Sequence, residues 1–78
     1  MVAAIDEEQE YKQAYISRVK AARERHYKSA PKFAKLLGVP YETYKKYEGR
    51  SYLPHYLIER FCALTHVTVN HLITGDDS

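Results

Sequence analysis

Two short helical patterns meet at the tripeptide Gly38-Val39-Pro40, and this junction constrains the fold more than any other feature of the chain. Apolar residues recur at helical spacing before it, and Tyr44 and Tyr47 recur three residues apart after it. Glycine favours the left-handed conformation that ends a helix, and proline suits the start of the next. Since only three residues connect them, the two helices must form a tight corner, which is the helix-turn-helix arrangement.

Short polar residues and glycines mark the ends of the other helices. Asp6, Ser29 and Thr68 are predicted N-caps, because their side-chain oxygens can accept hydrogen bonds from the first free amides of a helix. Gly75 is predicted to end the last helix, as Gly38 ends the second. Strand signals are too short for a sheet, so the predicted fold class is all-α with five helices. The predicted helices run from Asp6 to about Tyr27, from Ser29 to Leu37, from Tyr41 to about Gly49, from Pro54 to about Leu64, and from Val69 to Thr74.

One side of each predicted helix is apolar, and these sides predict a single small core. A chain of 78 residues buries only about 60% of the surface that it exposes when unfolded. We therefore expect one domain, no deep pocket and no enzyme activity. The residues expected to face the core are Tyr11, Tyr15, Ile16, Val19, Ala22, His26, Phe33, Ala34, Leu36, Leu37, Tyr44, Tyr47, Tyr56, Leu57, Ile58, Phe61, Cys62 and Leu64.

Charge is distributed unevenly along the chain. Residues 1–10 carry four acidic residues and no basic one, and residues 76–78 carry two more acids. All 12 Lys and Arg lie between these ends with only four Glu, so residues 11–75 hold a formal charge of +8. A basic body of this kind is expected either to bind a polyanion or an acidic protein surface, or to serve as ordinary solubilising surface.

Several other classes of protein are not indicated. The single cysteine, Cys62, cannot form an intramolecular disulfide, and it is expected to fill space in the core. The four histidines, His26, His55, His66 and His71, lack the spacing of a zinc site. No apolar run reaches the roughly 18 residues that span a bilayer, and the acidic N-terminus differs from the basic start of a signal peptide. We expect a cytoplasmic protein with no metal, no cofactor and no membrane association.

Taken in order, these segments resemble the Xre/Cro/cI-like helix-turn-helix regulators of bacteria and their phages, which share a lambda-repressor-like five-helix bundle. The resemblance implies an acidic N-terminal extension over residues 1–12 that prolongs the first helix, a DNA-binding domain over residues 13–75, and an acidic tail over residues 76–78. The motifs that carry it are Val19…Arg23, Ser29-x3-Phe33-Ala34-x2-Leu37-Gly38-Val39, Tyr44-x2-Tyr47-Glu48, Pro54 six residues after Glu48, and the final Val67-Thr68-Val69-Asn70-His71-Leu72-Ile73-Thr74-Gly75.

The resemblance implies a transcriptional regulator that binds double-stranded DNA sequence-specifically, as a dimeric repressor on a palindromic operator. The third helix is then the reading helix in the major groove, and Ala34 lets the second and third helices approach closely. An ion pair between Arg23 and Glu48 is implied beneath the DNA-facing side. The implied base-contacting residues are Tyr41, Glu42, Lys45 and Lys46, and the implied phosphate-contacting residues are Ser29, Ala30, Lys32, Thr43, Arg50, Ser51 and Tyr52.

Local chemistry offers a second interpretation for some of these residues. Glu42 could accept a hydrogen bond from a cytosine, but Glu42 and Lys46 also have the spacing and order of a surface ion pair. Lys32 opposes the helix dipole in the first turn of its helix, which a bound phosphate would relieve and an ordinary exposed lysine tolerates. The eight tyrosines are scattered around different helices, so they do not predict a stacking platform for single-stranded nucleic acid.

Three residues depart from the pattern of the family. Ala30 stands where Gln is common, Pro40 where a Ser or Thr cap is common, and His66 where Gly is common and a positive φ is expected. These departures leave two alternatives open. One is a protein-interaction adaptor with the same fold and little or no DNA readout, and the other is an antitoxin whose acidic N-terminal extension binds a basic toxin.

A dimer is expected because a single reading helix binds DNA weakly. Two surfaces are candidates for the interface. One is the fifth helix with Leu72 and Ile73, both expected to be exposed, and the other is the beginning of the first helix around Val2, Ile5 and Tyr11.

Overall fold

The computed structural model describes residues 2–76, with side chains from residue 7 onward. Within this range the chain forms five α-helices joined by short turns and no β-strand, which confirms the predicted all-α class with five helices. None of the described helices combines the length and hydrophobicity needed to cross a lipid bilayer. The helices are α1 (Val2–His26), α2 (Ala30–Leu37), α3 (Tyr41–Tyr47), α4 (His55–Thr65) and α5 (Val69–Thr74).

Helix α1 begins earlier than the sequence predicts. Its first residue is Val2, so the predicted N-cap at Asp6 is wrong, and the side chain of Asp6 lies outside the described ones. The residues before Asp6 include two alanines and no helix breaker, and alanine has the highest helix propensity. Arg25 and His26 in the last turn complement the negative end of the helix dipole.

Helix α2 has both of its predicted caps. Ser29 Oγ accepts a hydrogen bond from the backbone N–H of Lys32 at 3.4 Å, and Pro31 occupies the first turn. Gly38 ends the helix with φ +94°, and the N–H groups of Gly38 and Val39 both donate to the Ala34 carbonyl, at 2.9 and 3.0 Å. Val39 packs against the core. The chain therefore reverses sharply after α2, as the sequence predicts.

Arg60 of α4 supports the same corner. Its Nη1 donates to the Leu37 carbonyl at 2.9 Å, at the negative end of α2. A Cβ atom on Gly38 would lie 2.9 Å from this nitrogen, so a larger residue would strain the backbone and displace Arg60.

Helix α3 is shorter than predicted and ends at Tyr47 rather than near Gly49. Its start is as expected: Pro40 has φ −64°, and the Pro40 carbonyl accepts from the N–H groups of Thr43 and Tyr44. At the other end, the N–H groups of residues 49, 50 and 51 all donate to the Lys46 carbonyl. This convergence tightens the chain into a turn and stops the helix.

The last two helices are joined by a short turn. His66 ends α4 with φ 62°, the positive value that the sequence predicts at this position. Thr68 Oγ1 accepts from the His71 N–H at 2.9 Å and caps α5, and Gly75 ends α5 with φ 81°. The predicted cap and stop of α5 are therefore both confirmed.

The core differs from the prediction at several positions. Leu36 is 55% exposed and Tyr56 is 78% exposed, so neither faces the core, and Tyr11 and His26 are also exposed. Leu72, expected at the surface, is fully buried. The spacing of apolar residues predicts that each helix has an apolar stripe, but it does not determine which edge of the stripe contacts a neighbouring helix. The apolar core comprises Tyr15, Ile16, Val19, Ala22, Phe33, Ala34, Leu37, Tyr44, Leu53, Leu57, Phe61, Cys62 and Leu72.

Side chains of α1 hold the end of α5. Arg18 donates from Nε to the Leu72 carbonyl and from Nη2 to the Ile73 carbonyl, both at 2.8 Å. The Tyr11 hydroxyl also donates to the Ile73 carbonyl, at 3.0 Å. These carbonyls have no partner within α5, because the last turn of any helix leaves its carbonyls free. The contacts fix α5 against α1.

Candidate nucleic-acid interface

A buried ion pair joins the end of α3 to α1. Arg23 donates from Nε to Glu48 Oε2 at 2.8 Å and from Nη2 to Glu48 Oε1 at 2.9 Å, a two-bond arrangement. The two side chains are only 7% and 10% exposed. The structure thus brings together the two residues for which the family resemblance implies a structural ion pair.

Further hydrogen bonds complete this network. Arg23 Nη1 donates to the carbonyls of Tyr27 and Lys28, at 2.9 and 3.1 Å, just after α1 ends. The Tyr44 hydroxyl donates to Glu48. Burial raises the pKa of Tyr44, and the hydrogen bond to the Glu48 carboxylate raises it further. The hydrogen bond to Glu48 also raises the pKa of Arg23. The network holds the last turn of α3 in one position, while α3 otherwise packs chiefly against α2.

Tyr41, Glu42 and Lys45 come together on the outer surface of α3. Lys45 Nζ lies 3.0 Å from Glu42 Oε1 and 5.8 Å from the centre of the Tyr41 ring. The predicted ion pair between Glu42 and Lys46 is wrong, because Glu42 pairs with Lys45 three residues on. Both side chains are well exposed, so the pair contributes little to stability. Lys46 is exposed and takes part in no ion pair among the described residues.

A shallow depression follows the end of α3. Lys45, Lys46, Gly49 and Arg50 line it, so three cations border a surface without an acidic residue in its lining. The amide of Arg50 donates to the Lys46 carbonyl, which holds this turn against the helix. Two of the predicted phosphate contacts, Thr43 and Ser51, are close to these residues in the sequence and are partly buried. Since Lys45 already pairs with Glu42, Lys46 and Arg50 are the cations that would attract an anion such as a phosphate here.

A second basic depression lies at the start of α2. Its lining combines the predicted contacts Ser29 and Lys32 with His26, Tyr27 and Lys28. Ala30 is partly buried there and brings no side-chain donor. The sequence prediction missed Lys28. This lysine directly precedes the predicted N-cap Ser29, so its place at the N-terminus of α2 could have been predicted.

Tyr52 is 40% exposed, and its ring packs against two tyrosines of α1. Its ring lies 5.4 Å from that of Tyr15 and 6.4 Å from that of Tyr11, and Lys12 Nζ lies 5.5 Å from its centre. The expectation that the tyrosines are scattered is therefore wrong for these three. Because the rings are tilted by 38–53° to one another, they form a packed cluster rather than a flat stacking surface.

We expect stability to fall at alkaline pH. Burial raises the pKa of Tyr15 and Tyr44 above the usual 10.0 and that of Cys62 above 9.0. In the unfolded chain these groups lose their protons near the usual pKa, whereas the folded protein retains them, so the unfolded state binds fewer protons. The free energy of unfolding should therefore be unaffected by these groups below about pH 9 and decrease progressively above it.

Urea unfolding followed by circular dichroism between pH 8 and pH 11 measures this effect. Tyr44→Phe removes one of the titrating groups and should make the decline shallower. An unfolding free energy that stays constant across this range in the wild-type protein contradicts the expectation.

Comparison with known proteins does not identify a family. No family model, no curated protein and no solved structure matches this chain. Among the described residues, no group of three or more His, Cys, Asp or Glu side chains could hold a metal ion.

Proposed function

We propose that this protein is a transcriptional regulator of the Xre/Cro/cI-like helix-turn-helix type, a dimeric repressor that binds a palindromic operator in double-stranded DNA. The observation that supports it best is the position of α3. The Gly38–Pro40 corner holds the start of this helix, and the buried Glu48 pair holds its end. An α-helix with its side chains is about 10–12 Å in diameter, which fits a major groove about 12 Å wide.

The exposed side of α3 carries the base-reading residues. Lys46, which has no ion pair among the described residues, is the main donor to guanine O6 and N7. Tyr41 contacts a thymine methyl group, and Glu42 accepts from a cytosine amino group. Because Glu42 also holds Lys45 in the free protein, Lys45 reaches a base only when this surface pair opens.

Phosphate contacts on both sides of α3 set the register of the protein on DNA. They come from the start of α2 and from the turn after α3, where the two basic depressions lie. The predicted residues at these two places are Ser29, Ala30, Lys32, Arg50, Ser51 and Tyr52, and Thr43 contacts phosphate from within α3. We add Lys28 to them, because it lines the depression at the start of α2.

The experiment is selection and sequencing of bound duplexes from a random DNA pool at about 150 mM salt, where the Debye length is about 8 Å. The wild-type protein should enrich a palindromic motif. Lys45→Ala/Lys46→Ala should lose this enrichment and weaken binding to the selected duplex by roughly 30-fold or more, since the variant removes two base contacts worth about 1–3 kcal/mol each. Lys20→Ala/Arg25→Ala, which removes the same charge from exposed positions of α1, should retain the motif.

Enrichment of no motif, with only weak and salt-sensitive binding, contradicts the proposal. Equal losses in the two double variants would also contradict it, because binding would then follow net charge alone.

One observation favours a protein-interaction adaptor as the second candidate. The Glu42 carboxylate neutralises Lys45 on the surface proposed to read bases, which is unfavourable beside phosphates. The salt dependence separates the two functions, because log affinity falls with log salt at about 0.9 per phosphate contact only if DNA is the partner. An antitoxin is the related alternative, in which exposed Glu7, Glu8 and Glu10 of α1 meet a basic protein.

A further inference from the structure

Two histidine rings from distant parts of the chain contact each other at the surface. His26 is the last residue of α1, and His66 ends α4. Their ring centres lie 5.2 Å apart, and the ring planes are inclined at 69° to each other. Both residues are exposed. The spacing of histidines along the sequence could not predict this pair, because it forms only when α1 packs against α4.

The separation of the two rings suits two ligands of a single transition-metal ion. Zinc bonds to imidazole nitrogen at about 2.0–2.1 Å with tetrahedral geometry, so two rings on one ion have centres roughly 5 Å apart. The observed 5.2 Å agrees with this separation. Because exposed side chains change rotamer readily, each ring can turn a nitrogen towards a shared ion. Water molecules would then supply the remaining ligands.

The backbone holds both histidines in place. His66 has φ 62°, the only positive value of a non-glycine residue in the described part of the chain, and its N–H donates to the Cys62 carbonyl at 2.8 Å. A residue other than glycine is strained in this conformation, and such strain is common at ligand-binding sites. On α1, Val19 and Ala22 are buried in the core within two turns of His26. An ion would therefore meet two ligands whose backbones are already positioned, which lowers the entropy cost of binding.

The electrostatic surroundings favour an ion that bonds to nitrogen over one that is held by charge alone. Both histidines lie at C-terminal helix ends, where the helix dipole is negative and attracts a cation. Arg25 and Lys28 are exposed close to His26 in the sequence, and Arg25 lines a depression together with His66. These side chains repel Mg²⁺, which prefers oxygen ligands and gains too little from imidazole to offset the repulsion.

We propose that His26 and His66 form a surface site for one divalent ion of the metals that bind imidazole, namely zinc, nickel and copper. The ion would join the end of α1 to the end of α4. Because the two histidines come together only in the folded chain, binding should stabilise the fold. The site goes beyond the proposed function and does not depend on it, since it uses no residue of α3.

Isothermal titration calorimetry of the untagged full-length protein with ZnCl₂ tests the site. At about pH 7.5, where imidazole is mostly neutral, the wild-type protein should bind a single ion. His26→Gln and His66→Asn should each weaken binding at least about 10-fold, since even losing an outer-shell partner of a metal ligand costs about 10–100-fold. Asparagine tolerates a positive φ, so His66→Asn retains the turn. His55→Gln is the matched control, because His55 is also exposed but lies at the start of α4, and it should leave binding unchanged.

Thermal unfolding gives a second readout. ZnCl₂ should raise the unfolding midpoint of the wild-type protein and of His55→Gln, and EDTA should reverse the rise, whereas MgCl₂ should have no such effect. Absence of zinc binding up to about 1 mM overturns the site. Binding that persists unchanged in both His26→Gln and His66→Asn, or that His55→Gln weakens equally, also overturns it. Each of these results is independent of whether the protein selects a DNA motif.

Discussion

Glu48→Ala should lower the free energy of unfolding by about 3–5 kcal/mol, the cost of breaking a buried ion pair. The substitution leaves the buried Arg23 guanidinium with the carbonyls of Tyr27 and Lys28 and with the more distant, exposed carboxylate of Glu24 at 3.9 Å. It also removes the acceptor of the Tyr44 hydroxyl. A domain of 78 residues typically has a total stability of about 4–12 kcal/mol. This single substitution is therefore expected to leave the protein close to its unfolding threshold.

Urea unfolding at pH 7 measures the loss. Glu42→Ala is the matched control, because Glu42 also pairs with a cation at 3.0 Å but in an exposed position, and its cost should be below about 1 kcal/mol. The double variant Arg23→Met/Glu48→Met should be more stable than Glu48→Ala, since it leaves no buried charge without a partner. Equal costs for the buried and the exposed pair would contradict the role assigned to the network.

Phe33→Ala should cost a similar amount, about 3–5 kcal/mol, through the cavity that it leaves. Phe33 is fully buried on α2, and its ring lies 5.0 Å from Tyr27, 5.4 Å from Tyr44 and 5.5 Å from Phe61. The last of these contacts is edge-to-face, at 84°. Removing the ring takes support from α3, α4 and the segment after α1 at once, because Tyr44 lies on α3, Phe61 on α4 and Tyr27 directly after the end of α1.

Thermal and urea unfolding both report this change. Tyr56→Ala removes a ring of similar size from the surface and should change the unfolding free energy of the monomer by less than about 0.5 kcal/mol. Dilute samples keep dimer dissociation out of this comparison. If Phe33→Ala costs no more than Tyr56→Ala, the aromatic cluster does not hold the corner between α2 and α3.

Local chemistry made the helix ends predictable. Ser29, Gly38, Thr68 and Gly75 act through hydrogen bonds and backbone angles within three or four residues, so their roles follow from neighbouring residues alone. The start of α1 was missed for the same reason, because a good local cap at Asp6 does not prevent helix-forming residues before it from extending the helix.

Contacts between distant segments were less predictable. Leu36 and Leu72 both lie on apolar stripes, and only the crossing of helices decides which of them meets a neighbour. The contact between Tyr52 and Tyr15 depends on the path by which the segment after α3 returns to α1. The spacing of apolar residues along the sequence does not determine that path. In the candidate site, the sequence predicted that these residues lie on a helix, but the predicted ion-pair partner of Glu42 was wrong. On a helix, the residues three and four positions away are both within reach of Glu42.

The hydrogen bond from Tyr11 to the Ile73 carbonyl joins residues 62 positions apart. Closing so long a segment costs more chain entropy than forming the short corner between α2 and α3. Helix α5 has six residues, too few to persist alone in water. Its amide protons should therefore exchange with solvent through detachment of this helix alone, whereas those around Val19 in the core exchange only on global unfolding. Any contact that covers α5 would slow that detachment, and so it would be recorded in the exchange rates of the last helix.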